Sequence, residues 1–150
     1  LLTFLIIFST SCAYKPILSE KNYNFQIEKI TFSGEKNINR VIKRKLSMIR
    51  ESDNSNKKKF DVIIETLKNK KIVSNDSKGD PLKFEVNIIV FYQVELNGDI
   101  LLKREIEKNH IYNNKSDKFQ LEQDEKNIID NLSNKISDDI ISSIINLNDS

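Results

Sequence analysis

The chain has 150 residues with 24 basic and 22 acidic side chains, a net charge of +2, one cysteine, one histidine and only three glycines. That length allows one domain with a two-layer core. A balanced charge gives no field of one sign for nucleic acid, a lone cysteine leaves no intramolecular disulfide, and so few glycines leave no P-loop or dinucleotide fingerprint.

The first element is LLTFLIIFSTSC. Its apolar run is too short to span a bilayer, which takes about 20 residues. It fits the apolar region of an export signal, with small residues before the processing point. Two readings stay open: an ordinary secretory signal, or a bacterial lipoprotein signal of residues 1–11 in which Cys12 is lipidated. The second is favoured because Cys12 is the sole cysteine and follows the small Ser11. No basic n-region precedes the run, so the true start is expected upstream. Residues 12–24 read as a polar tether, leaving 25–150 as the folded domain.

Residues 25–33 (FQIEKITFS) read as a strand whose apolar phase shifts between Ile27 and Ile30, which predicts a bulge. Asn37 is the expected cap of a helix with Ile38, Val41, Ile42, Leu46 and Ile49 on one stripe. The loop ESDNSN ends it. Phe60, Val62 and Ile64 alternate with Asp61 and Glu65 as a second strand. The polar link 68–82 is expected to be a hairpin or a mobile loop.

Phe84, Val86, Ile88, Val90, Tyr92, Val94 and Leu96 alternate through a third strand, and Asn97-Gly98 then marks a tight hairpin turn. The fourth strand runs from Ile100 to about Tyr112, with Ile100, Leu102, Ile106 and Tyr112 in one phase. Leu121, Ile128, Leu132, Ile136, Ile140 and Ile144 stripe a long final helix, capped by Asp117 or Ser116. Strand–helix–three strands–helix predicts an α+β two-layer sandwich, a four-stranded sheet with two helices on one face. The other face would carry Ile63, Ile89, Phe91 and Leu101 among polar residues. It is either a surface shielded by the 68–82 link or a partner-binding face, for which Ile63, Ile89 and Phe91 are the candidates.

No chemistry assembles on these elements. His110 has no second or third ligand beside it in sequence, NDSKGD breaks the EF-hand spacing, and the carboxylates are scattered among lysines. The expectation is a protein that is not an enzyme and needs no metal or cofactor.

Cys12-Ala13-Tyr14-Lys15-Pro16-Ile17, followed by this order of elements, resembles the LPS-assembly lipoprotein LptE family. Its mature chains begin Cys-Gly-Phe or Cys-Gly-Tyr, then one residue, then Pro-Leu; Ala13 and Ile17 depart from that pattern. The resemblance implies that Cys12 carries acyl chains and anchors the domain at the periplasmic side of the outer membrane. It further implies that the chain associates with an LptD-type β-barrel and assists lipopolysaccharide assembly. Lys83, Lys103 and Arg104, flanking the central hairpin, are the candidates for lipopolysaccharide phosphates. The alternative is a lipid-anchored periplasmic binding module or transporter auxiliary subunit with a ligand pocket between helices and sheet.

Overall fold

The computed structural model describes residues 25–50 and 57–149. Cys12, the segments 1–11 and 12–24, and the loop ESDNSN lie outside the described residues. Six elements follow in chain order: β1 (Phe25–Gly34), α1 (Lys36–Arg50), β2 (Lys58–Asn75), β3 (Pro81–Leu96), β4 (Asp99–Asn113) and α2 (Lys118–Asn148). The strands stand side by side in the order β1-β2-β3-β4. β1 runs parallel to β2, and the two following pairs are antiparallel. The expected α+β sandwich is the observed one.

Binary patterning accounts for the layers. Phe60, Val62 and Ile64 of β2 and Val86, Ile88, Val90, Tyr92 and Val94 of β3 are buried on the helix side, with Ile42 and Leu46 of α1 and Ile136, Ile140 and Ile144 of α2 packed onto them. Burying side chains of this size contributes about 1.5–3 kcal/mol each, and that is what fixes both amphipathic helices to one face. Among the described residues, no helix is long and apolar enough to cross a membrane.

The bulge in β1 lies where the apolar phase shifts, between Ile27 and Lys29. The start of α1 differs from expectation. The helix begins at Lys36, so Asn37 lies inside its first turn and is not the cap. The terminus is held by Thr66 of β2, whose backbone carbonyl and hydroxyl oxygens both accept from the Glu35 N–H, at 3.2 and 2.9 Å. The same hydroxyl donates to Asn39 Oδ1 at 2.8 Å, and Asn39 Nδ2 donates to the Ser33 carbonyl. This exchange demands close approach. Gly34 has φ +88, and a Cβ there would sit 1.9 Å from the Thr66 carbonyl oxygen.

Of the two expectations for the 68–82 link, the structure gives the hairpin and not the mobile loop, and the segment does not shield the outer face. β2 continues to Asn75 and pairs with β3 throughout, with register irregularities after Ile72. A turn follows in which Asp76 Oδ1 accepts from the Lys78 and Asp80 N–H groups. Period-2 patterning vanishes here because Lys68 and Lys70 on the helix side stay exposed, as do Leu67, Asn69 and Lys71 on the other.

Asn97 (φ 55) and Gly98 (φ 90) form the tight β3–β4 turn. Just beyond it Ile100 departs from the expected phase. The β3–β4 register shifts between Val94 and Glu95, so Ile100 pairs with Glu95 on the outer face and is 57% exposed. α2 is capped by Asp117, whose side chain accepts from the Gln120 N–H at 3.1 Å.

Candidate partner-binding site

With both helices on one face, the opposite face of the sheet is uncovered by any described element. The registers place its residues in rows: Ile63–Gln93–Lys103, Glu65–Phe91–Glu105, Leu67–Ile89–Glu107, Asn69–Asn87–Asn109 and Lys71–Glu85–Ile111. Ile63, Ile89 and Phe91 therefore do meet, together with Leu67, as an apolar strip across β2 and β3. Ile63 and Leu67 are 38% and 42% exposed, and Ile89 and Phe91 are half-buried by their neighbours. Sequence reasoning had not included Leu67, because it fell beside the link expected to be irregular.

Glu65 of β2 stands within the strip, opposite Phe91 and between Ile63 and Leu67, and Glu105 and Glu107 of β4 border it. Glu107 accepts from Asn87 Nδ2 at 2.6 Å. Glu65 and Glu105 make no ion pair or side-chain hydrogen bond among the described residues. Asp61 Oδ1 and Asn87 Oδ1, on the same face, are shut from solvent and accept no hydrogen bond among the described residues. Leaving a buried acceptor unpaired costs roughly 1–3 kcal/mol.

The three candidate phosphate-binding residues are not brought together. Lys83 pairs with Asn113 near the β2–β3 turn, whereas Lys103 pairs with Gln93 ten residues further along β3, roughly 33 Å away at strand rise. Arg104 pairs with Tyr92 and so lies on the helix side. A single anion cannot reach all three.

On the helix side, the first turns of α1, the N-terminal half of α2 and Lys70 of β2 enclose a cleft of about 550 Å³. At its floor Lys70 Nζ lies 2.5 Å from Glu125 Oε2 and 4.6 Å from the Phe84 ring centroid. The Tyr112 hydroxyl donates to the same carboxylate oxygen at 2.7 Å. Burial raises the Tyr112 pKa, and its bond to the carboxylate raises it further. Burial alone would raise that of Glu125, but the hydrogen bonds from Lys70 and Tyr112 outweigh it and hold the carboxyl below its ordinary value. For Lys70, burial pulls the pKa down, and the bonds to Glu125 and Tyr112 more than compensate, so it is raised. Nothing in the sequence distinguished Lys70 or Glu125 from the many other charged residues. His110 is exposed on β4, and no cluster of three or more His, Cys, Asp or Glu side chains suited to a metal occurs among the described residues.

No protein-family model matches the sequence, and no curated protein is similar to it. Solved structures do share its fold. The rare lipoprotein B from Shewanella oneidensis superposes with a TM-score of 0.59 at 15% identity, over 77% of this chain and 92% of that one. A minor lipoprotein from Acinetobacter baumannii gives 0.56 at 13% identity, over 79% and 91%. Lipoprotein B from Nitrosomonas europaea gives 0.60 at 17% identity, over 77% and 79%. The chain thus has the fold of bacterial lipoproteins of the rare lipoprotein B type.

Proposed function

We propose that this chain is an outer-membrane lipoprotein, anchored through Cys12 on the periplasmic side, that associates with an LptD-type β-barrel and assists lipopolysaccharide assembly without catalysing a reaction. The observation that carries the reading is the uncovered sheet face. An apolar strip bordered by carboxylates, with two buried oxygens awaiting donors, is too apolar for free surface and too polar for a core. A mixed surface of this kind suits the polar interior of a large barrel. The Cys12 motif and the fold shared with bacterial lipoproteins support the anchor. The binding-module reading gains nothing from the cleft, whose lining is charged in both signs, unlike the mainly apolar pockets that take small ligands.

The test is to isolate full-length tagged protein from its native membranes in mild detergent and to identify both its N-terminal peptide and its partners by mass spectrometry. Diacylated Cys12 together with a large β-barrel is the expected outcome. An unmodified cysteine, or acylation with no barrel recovered, would overturn the corresponding half of the reading.

A further inference from the structure

β1 ends at Gly34, opposite Thr66, but β2 runs on to Asn75. From Leu67 onward β2 has no strand on that side among the described residues. The Thr66 carbonyl points toward β1, since it accepts from the Glu35 N–H there. Backbone groups alternate along a strand, so Lys68, Lys70 and Ile72 direct their N–H and C=O groups to the same open side. Leu67, Asn69 and Lys71 direct theirs into the β3 ladder. The open side borders the cleft, which Asn37 and Arg40 of α1 close from above β1's end and α2 closes from the far side.

An unpaired run of backbone groups beside a cavity is the arrangement by which sheets take up an added strand: the backbone bonds give affinity, and the pocket receives alternate side chains. We propose that β2 beyond Thr66 is a docking edge for an extended, acidic polypeptide segment of another protein. The segment lies in the line of the sheet that β1 leaves at Gly34, with alternate side chains in the cleft. Charge selects this occupant. Lys70 is already matched by Glu125, which leaves Arg40, Lys118 and Lys126 of the lining against Glu122 and Asp130.

The other occupants fit poorly. The open edge of a second copy, β4, turns Arg104 and Lys108 to the helix side and its Glu105 and Glu107 to the other face, and lysine would face lysine if two β2 edges met. Residues 1–24 of the same chain hold Lys15 and Lys21 against Glu20. The acidic loop 51–56 joins β2 at its opposite end, ten residues before Lys68 and beyond the loop's reach, about 20 Å for six residues. This inference does not depend on the partner being a barrel.

The experiment compares amide hydrogen exchange in the full-length protein purified alone with that in the detergent-solubilised assembly from native membranes. In the assembly, the Lys68, Lys70 and Ile72 amides are expected to slow at least tenfold, while Leu67, Asn69 and Lys71 are protected in both samples. Lys68→Pro removes one outward donor and is expected to lower partner recovery about fivefold or more, as one lost hydrogen bond does. Lys68→Ala keeps recovery close to wild type, and unchanged protection at Leu67, Asn69 and Lys71 verifies that both variants fold. Fast exchange at all three amides in the assembly, absence of any bound protein, or equal recovery with Pro and Ala overturns the proposal. So does protection already present in the protein alone, which means its own N-terminal segment fills the edge, or protection that grows with its concentration, which means a second copy does. Loss of the partner in an Ile89 variant with retention in Lys68→Pro leaves the sheet-face reading standing and removes this one.

Discussion

Lys70 and Glu125 meet at 2.5 Å across the floor of the cleft, one from the unflanked end of β2 and the other from α2. With the Tyr112 hydroxyl on the same carboxylate, the pair ties the start of the long helix to the exposed end of the sheet. The Glu125 pKa is lowered below its ordinary 4.5, so folding favours its ionised form. That stabilisation is complete above pH 4.5 and is lost as pH falls through the lowered folded value. Lys70 is raised above its ordinary 10.5, so its share persists through neutral pH and disappears only in strong alkali. Glu125→Gln is therefore expected to lower stability near neutral pH by about 1 kcal/mol, a modest figure because the Lys70 side chain is 38% exposed and solvent weakens such pairs. Urea titrations of both proteins at neutral and at acid pH should show the gap narrowing as pH falls below 4.5 and through the lowered carboxyl value. A gap of the same size at both pH values would mean that the glutamate contributes packing and not charge.

Gly34 and Thr66 pack so closely that a side chain at position 34 has no room. Gly34→Ala combines a left-handed φ with a Cβ placed 1.9 Å from a backbone oxygen, and no flexible side-chain end can yield there. The expected cost is about 3 kcal/mol. It should appear in chemical denaturation as a lower midpoint and, in hydrogen exchange, as lost protection at the Glu35 amide, whose acceptors would be pushed away. A stability within about 0.5 kcal/mol of wild type would show that the β1–α1 corner is less tightly constrained than its geometry implies.

Ser133 and Ser137 are buried polar residues on the inner side of α2. Neither hydroxyl reaches across to the sheet: each donates to the carbonyl four residues earlier, Ser137 to Ser133 at 2.7 Å. That carbonyl also serves the helix ladder, so removing the hydroxyl orphans nothing. Ser137→Ala is expected to change stability by no more than about 0.5 kcal/mol, or to raise it, since alanine is the better helix former and serine back-bonding slightly weakens helices. A loss of about 2 kcal/mol would indicate that the hydroxyl fills space the methyl does not.

The fold was legible where one face of an element is buried and the other wet. The strand β3 and the stripe of α2 were readable because their alternation records a covering layer directly. Legibility ended where the covering layer ends. Beyond Thr66 both faces of β2 are exposed, so Lys68 to Asn75 carries no period and read as a link. A parity argument also fails at a bulge, which is why Ile100 was assigned to the core face while the β1 bulge, marked by apolar residues on both sides of it, was found. Asn37 was a reasonable cap by residue type, but the residue that precedes the helix, Glu35, is held by Thr66, thirty-one residues away, and no local pattern announces a partner at that distance. The apolar strip was legible for the same reason as the core. The separation of Lys83, Lys103 and Arg104 was not, since it depends on strand register and parity.

Ile88 and Ile89 are adjacent in β3 and face opposite ways, which makes the outer face testable against its own control. Ile88 is fully buried under the helices, while Ile89 pairs with Leu67 on one side and Glu107 on the other. Ile88→Asp places an unpaired carboxylate in the core and should unfold the domain outright. Ile89→Asp puts the same group on a half-buried face, so the purified protein should keep its fold, with a loss of about 1 kcal/mol from reduced apolar contact and repulsion from Glu107. Ile89→Lys should be better tolerated still, because its ammonium sits opposite that glutamate. Both Ile89 variants should lower recovery of the membrane partner at least tenfold, since a charge buried at the centre of an interface costs about 2 kcal/mol or more. If circular dichroism and melting show Ile89→Asp and Ile89→Lys folded and both retain the partner, the uncovered face is ordinary surface and the association runs through another part of the molecule.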